Sequence, residues 1–366
     1  MAFGNNLGAT IETDLHLYQE RFLCFLVESE EEIPGATVIG RTSNQPIIAV
    51  GTTEIALSEL LPKWTEPLDK IYPESGVSIQ EPVKAYHASF EIKKSQSEVA
   101  QPKVLIPTFP GTNCEYDTAK VFQEAGAQTH IEVFRNLTPK AVEESLDSLA
   151  KQIQSAQILM LPGGFSAGDE PAGSGKFIAT ILRSPRIAEA VMDLLKNRDG
   201  LILGICNGFQ ALIKTGLVPY GEIRDPQPGA PTLTYNNIGR HIACYATTRI
   251  SSNLSPWLSE TKVGDLHNIP FSHGEGKFYA SQQEIAELAA NGQIATQYTD
   301  LQGVPSMDPY FNPNGSLSAI EGITSPCGRV FGKMGHSERR GPDVAQNISG
   351  NKYQPLFSAG VGYFSL

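Results

Sequence analysis

Between residues 103 and 215 short apolar runs alternate with amphipathic stretches of helical length, and this rhythm constrains the fold more than any other feature of the chain. Residues 103–108 read as a strand, 116–125 as a helix that Gly126 ends, and 129–134 as the next strand. Thr138 caps and Pro139 opens a helix reaching Gln154; proline suits the first helical position because the N–H it lacks has no partner there. Residues 157–161 form the third strand, which runs into Gly163-Gly164. Further helices lead to Gly200, and 201–205 is apolar throughout, the pattern of a strand buried on both faces. Parallel neighbours need a crossover, so this order implies an α/β fold: an open, mostly parallel sheet with helices on both faces. Beyond Val218 the pattern changes. Residues 219–231 are loop-like, and 240–250, 293–298, 316–324 and 328–333 read as strands, some of them antiparallel.

The first hundred residues differ. Residues 21–28, 36–42 and 46–50 read as short strands and 53–60 as a helix, too little for an independent core. Prolines at 62, 67, 73, 82 and 102, with little periodicity between them, read as a linker. A formal net charge of −11 over 366 residues disfavours nucleic acid and anionic membrane surfaces as partners. No window approaches the ~20 apolar residues of a membrane span, and the N-terminus lacks a signal peptide's basic and apolar regions. The cysteines at 24, 114, 206, 244 and 327 are dispersed without metal-type spacing. Such a set fits a reducing, cytoplasmic setting and no metal site.

Chemistry concentrates at three strand ends. Cys206 directly follows the apolar 201–205 run and precedes a helix, which places it on a sharp strand-to-helix turn at the carboxyl edge of the sheet. A helix N-terminus there favours a thiolate, although an inert buried thiol is the commoner fate of a cysteine. Gly163-Gly164 turns the chain tightly and lets backbone N–H groups face a substrate, as an oxyanion site requires. His336 and Glu338 follow the 328–333 strand and fit the roles of base and orienting carboxylate. Asp169 and Glu170 have no histidine or third carboxylate nearby in sequence, which argues against a metal pair. Cys114 lacks the Gly-x-Cys-x-Gly setting and reads as non-nucleophilic, and Gly173-Ser174-Gly175-Lys176 reads as a helix start because its glycine spacing is not that of a phosphate loop.

A Pro-Gly-Gly loop, the elbow Gly204-Ile205-Cys206-Asn207-Gly208-Phe209-Gln210 and a late His-x-Glu occur in the order found in class I glutamine amidotransferases, which the chain resembles over roughly 103–340. Within them it is most similar to the glutaminase part of the phosphoribosylformylglycinamidine synthase family. That likeness rests on Cys206-Asn207-Gly208, Gly163-Gly164-Phe165-Ser166 with Gly168-Asp169, Ser272-His273-Gly274-Glu275-Gly276, Asn312-Pro313-Asn314-Gly315-Ser316 and Pro110-Gly111-Thr112-Asn113-Cys114. The resemblance implies a flavodoxin-like fold and a catalytic set of Cys206, His336 and Glu338. It implies an oxyanion hole from the N–H groups of Gly164 and Asn207, and glutamine contacts from Gly163, Phe165 and Gln210. It makes His273 and Glu275 candidates for an interface or ammonia route; a structural turn and a second acid/base site are the other readings. It implies ammonia supply for the ATP-dependent amidation of formylglycinamide ribonucleotide in purine biosynthesis. ATP and magnesium then belong to a synthetase part, fused or separate, and no cofactor to this chain. By the same resemblance 1–72 is the C-terminal remnant of an aminoimidazole-ribonucleotide-synthetase-like domain, 73–102 a linker and 103–366 the glutaminase. Two rivals stay open: a stand-alone cysteine hydrolase of the same fold, and a non-catalytic interaction domain that kept the elbow.

Overall fold

A computed structural model of the protein describes residues 2–68, 83–91, 93–166, 168 and 175–365. The chain divides into two compact units, 1–74 and 75–366. Asp169, Glu170, the Gly173-Ser174 pair and residues 73–82 of the expected linker lie outside the described residues.

In the first unit α1 (Ala2–Asn5) precedes β1 (Gly8–Ile11), β2 (Gly40–Ser43), β3 (Ile47–Val50), β4 (Thr53–Ala56) and α2 (Leu57–Thr65). The sheet order is β2-β1-β3-β4, with β1 and β3 parallel. Residues 21–28 are not a strand: 12–39 hold no helix or strand, and Phe22, Phe25 and Leu26 are exposed. An apolar run becomes a strand only when a neighbour completes its ladder, and none lies beside it among the described residues of this unit. The helix expected at 53–60 is split, because Thr53 and Ile55 pair with Val50 and Ile48 across a tight turn and the helix starts only at Leu57. Leu57 is the one fully buried apolar side chain among the described residues of this unit.

The second unit is built on nine strands in the order β11-β10-β13-β14-β15-β8-β7-β5-β6. The parallel half comprises β5 (Lys103–Thr108), β6 (Gln128–Val133), β7 (Ile158–Leu161), β8 (Leu201–Ile205) and β15 (Val330–Lys333). Four antiparallel strands extend it: β10 (Ile242–Ile250), β11 (Leu266–His273), β13 (Ile294–Tyr298) and β14 (Ile320–Thr324). A separate antiparallel ribbon joins β9 (Thr232–Tyr235) to β12 (Glu275–Tyr279). The connecting helices are α3 (Glu115–Glu124), α4 (Pro139–Ser155), α5 (Lys176–Arg183), α6 (Pro185–Lys196), α7 (Asn207–Thr215), α8 (Leu217–Tyr220), α9 (Gln282–Ala290) and α10 (Leu356–Gly362). Thr138 caps α4 as its sequence predicts, accepting from the Ala141 N–H at 3.1 Å.

The chain passes outward from β5 to β6, then back across β5 to β7 and on to β8. Right-handed crossovers therefore put α3 on one face of the sheet and α4 to α6 on the other. The reversal opens a switch point between the ends of β5 and β7, where α/β sheets hold their ligands. β8 and β15 lie next in order, so the segments that follow all four strands emerge along one edge.

The described residues of 83–102 do not behave as a free linker. Ala88 N–H donates to Ser251 O at 3.0 Å, Ser95 N–H to Tyr363 O and Val99 N–H to Phe364 O, each at 2.9 Å. Gln297 clasps the strap through its amide, accepting from Tyr86 N–H and donating to Lys84 O. Val83, Tyr86 and Val99 pack on the core. The segment lacks periodicity because its backbone partners belong to other parts of the unit.

Candidate active site

The β8–α7 junction is strained in the way its sequence implies. Cys206 has φ 53° and ψ −106°, a region few non-glycine residues enter. Its N–H donates to Lys333 O at 2.8 Å, and its C=O accepts from Gln210 N–H at 3.0 Å, so sheet and helix fix the residue from both sides. Helix α7 runs hard against β7: a Cβ on Gly208 would lie 2.0 Å from Leu161 O, so only glycine permits this approach.

Beyond β15, His336 is pinned by its own N–H, which donates to Pro270 O on β11 at 2.8 Å. Its Nδ1 lies 2.6 Å from Glu338 Oε1, with both side chains buried. Burial alone raises the Glu338 carboxyl, but the His336 charge and hydrogen bond, its own backbone and Arg339 outweigh it and hold it below the usual carboxylate range. An ionised carboxylate only accepts, so the Nδ1 proton points at Glu338, and in the neutral imidazole Nε2 is the free acceptor. That Nε2 is buried and has no partner among the described residues.

The loop after β7 closes the site. Gly164 bridges Thr112 in antiparallel fashion, with Phe165 N–H donating to Gly111 O at 2.7 Å and Asn113 N–H to Gly163 O at 3.3 Å. Asn207 Oδ1 accepts from Ser166 N–H at 3.2 Å. The start of the glycine loop is thus fixed by two other segments. Gly163 is required by packing, since a Cβ there would stand 2.6 Å from His336 Cε1.

Burial reverses the expected charge of the thiol. Cys206 is pushed up by burial first, and by its neighbours Cys114 and Glu338, while Arg339 and the Asn207 N–H act in the opposite direction. Desolvation outweighs the helix N-terminus, and the resting group is a thiol. Its Sγ lies 3.7 Å from Ser272 O and makes no hydrogen bond to His336. Catalytic hydrogen bonds commonly tighten only when substrate is seated.

Residues 101–364 match the family described as the CobB/CobQ-like glutamine amidotransferase domain. The subunit PurQ of phosphoribosylformylglycinamidine synthase from Methanococcus maripaludis is 36% identical over 247 residues, 65% of this chain and 82% of that one. The Aquifex aeolicus PurQ is 33% identical over 248 residues, covering 68% and 95%. The chain belongs to the PurQ group of glutamine amidotransferases. A solved PurLQS structure from Thermotoga maritima shares the fold, at 24% identity and TM-score 0.51, covering 72% of this chain and 100% of that one.

Against this PurQ-type frame the other expected residues fall into place unevenly. Gln210 is buried with its amide engaged at both ends, accepting from Asn207 Nδ2 at 2.9 Å and donating to Glu275 O at 2.5 Å. Phe165 flanks His241, ring centroids 6.0 Å apart. His273 and Glu275 are not in a free turn. His273 ends β11 and Glu275 begins β12, both buried, with His273 Nδ1 3.1 Å from Asn236 Oδ1. His273 Nε2 and Glu275 Oε1 have no partner among the described residues. The 312–316 motif caps this ribbon, with Asn314 Nδ2 donating to Gly276 O at 2.8 Å and Ser316 Oγ accepting from Phe278 N–H at 2.9 Å.

Cys114 is closer to the His–Glu pair than its sequence setting implies: its Sγ stands 3.9 Å from His336 Nδ1 and accepts from Arg339 Nη2 at 3.0 Å. Burial, then Glu338, pushes it up to about 12, against the pull of Arg339. Ligand atoms of Cys114, His336 and Glu338 lie within 4.8 Å of one another. A guanidinium on the sulfur and an N–H committed to the carboxylate make this a poor cation site. Sequence reasoning missed Arg339, Asn236 and the buried pair Lys333–Glu321. Only Arg339 carried a signal, its place beside Glu338.

Proposed function

We propose that Cys206, His336 and Glu338 hydrolyse the side-chain amide of glutamine and that the ammonia serves a synthetase part of the same enzyme. The chain is a glutamine amidotransferase, the glutaminase half of phosphoribosylformylglycinamidine synthase. The observation that carries the residue assignment is the unpartnered, buried Nε2 of His336, oriented by Glu338, on the edge where the strained elbow turns out Cys206.

His336 Nε2 takes the Cys206 proton as sulfur attacks the amide carbon. The oxyanion is held by the N–H groups of Gly164 and Asn207; both are free of backbone acceptors among the described residues, and each is worth on the order of 10²–10³ in rate. His336 returns the proton to the departing nitrogen, which leaves as ammonia. Water, deprotonated by the same histidine, then cleaves the thioester to glutamate and restores the thiol. Glu338 keeps the imidazole in the tautomer this exchange needs. Gly163 and Phe165 border the glutamine, and Gln210 shapes the pocket floor through Asn207. His273 and Glu275, with one unpartnered polar atom each, line an interface or ammonia route. The synthetase part, fused or separate, holds ATP and magnesium and amidates formylglycinamide ribonucleotide in the cytoplasm. Residues 1–72 are the remnant of such a synthetase domain.

Glutamate release from glutamine tests the reading. The parent chain with its synthetase part should turn over, Cys206→Ala should not, and a glutamine-like diazo-ketone should label Cys206 alone. Turnover by Cys206→Ala would overturn the assignment.

A further inference from the structure

Lys333 is fully buried at the end of β15, and it touches both halves of the candidate site. Its backbone C=O accepts the Cys206 N–H at 2.8 Å, and in the parallel register it faces Ile205, the residue before the elbow. Its ammonium donates to Gly335 O at 2.8 Å and to Ser337 Oγ at 3.2 Å, the two residues flanking His336. Glu321 on the neighbouring strand completes the arrangement. Its Oε1 lies 3.3 Å from Lys333 Nζ and accepts the Gly335 N–H at 2.7 Å, while Thr296 donates its hydroxyl to Oε2. Ser337 passes the restraint on, donating to Gln354 Oε1 at 2.6 Å.

A buried ion pair adds little net stability over apolar residues of the same size, because desolvation offsets the attraction. Its use here is geometric. Gly335 is held at both its N–H and its C=O, and it has no side chain with which to fix itself. The ring of His336 hangs on that turn, 2.6 Å from Glu338.

We propose that Lys333 and Glu321 are a positioning pair that sets the His336 ring against the Cys206 elbow, one lysine holding the thiol's strand by its backbone and the base's turn by its ammonium. The proposal rests on the reading of Cys206 and His336 as nucleophile and base. Misplacing a reacting group by about 1 Å costs ~10²-fold in rate, and neither member of the pair needs to touch substrate.

The test is steady-state glutaminase kinetics on the chain assembled with its synthetase part, for Lys333→Met, Glu321→Gln, the two combined, and Ser337→Ala. Thermal midpoints are recorded alongside. Lys333→Met strands the Glu321 carboxylate and should lower the midpoint; adding Glu321→Gln removes the buried charge and should restore it. A positioning role predicts that kcat of the combined variant stays about 10²-fold down with KM within about threefold, because Gly335 O and Ser337 Oγ still lack the Lys333 ammonium. Ser337→Ala, the mildest change, should lower kcat several-fold at unchanged KM. If activity returns with stability in the combined variant, or if kcat of Ser337→Ala matches the parent, the pair is structural only and the proposal fails. Retained activity in Cys206→Ala would instead sink the underlying reading, whatever these variants do.

Discussion

At the scale of the residue, two buried cysteines are candidates for the role of nucleophile, and the sulfur that lies against His336 is that of Cys114, not of the proposed Cys206. Cys114 Sγ is 3.9 Å from His336, but at the nitrogen whose proton is committed to Glu338; burial pushes both thiols up, so acidity does not separate them. Cys206 sits on the strained elbow with the Asn207 N–H against its sulfur. Cys114→Ala should therefore keep glutaminase activity within about threefold. Gly163 offers a sharper test. An added Cβ would stand 2.6 Å from His336 Cε1 and 3.2 Å from Cys114 Sγ. We expect Gly163→Ala to lower kcat by roughly 10²-fold through displacement of the imidazole, with the fold retained by circular dichroism. Unchanged kcat would show that the ring has room to move.

At the scale of the element, β11 is one source of acid sensitivity in the unit. It bears His267 and His273, both buried. Burial pushes His267 down to about 4, with Asp265 opposing and Lys333 assisting. Burial, then His336 and His241, pushes His273 down to about 3. The unfolded chain binds protons at these groups below its ordinary value of 6.5, while the folded chain refuses them. Stability is full above that value and falls as the pH drops through the window, at about 1.4 kcal/mol per pH unit for each group. Urea midpoints should decline between pH 6.5 and 5, and His267→Gln should flatten the decline. Parallel curves for parent and variant would remove His267 from the account.

At the scale of the whole molecule, the strap of residues 83–102 decides where the glutaminase unit begins. Its described backbone is bonded to β13, to the segment after β10 and to the C-terminal residues, and Tyr86 and Val99 cover apolar surface. A chain beginning at residue 103 should melt about 10–20 °C below one beginning at residue 83, for five strap hydrogen bonds it would lose. Each lost hydrogen bond costs about 1 kcal/mol, and each kcal/mol about 2–4 °C at this size. Differential scanning calorimetry on the two chains checks this, and equal midpoints would return the strap to the status of a linker.

What the sequence determined by itself was local or periodic. The apolar 201–205 run, the Thr138-Pro139 start and the strand-helix rhythm fix the parallel half of the sheet, because strand burial and helix caps depend on neighbours in sequence. The elbow, glycine pair and His-x-Glu were legible for the same reason, since each is a short motif at a strand end. Strand β11 escaped notice although its burial alternates, because His267, Asn268, Pro270 and Ser272 interrupt the apolar signal. The strap, the exposed 21–28 run and the Lys333–Glu321 pair were decided only in three dimensions. Whether a segment is strand, strap or open chain depends on which backbone lies beside it, and a lysine is buried only where distant residues answer its charge. The protonation of Cys206 belongs there too: sequence supplies the helix end that favours the anion, and tertiary packing supplies the desolvation that outweighs it.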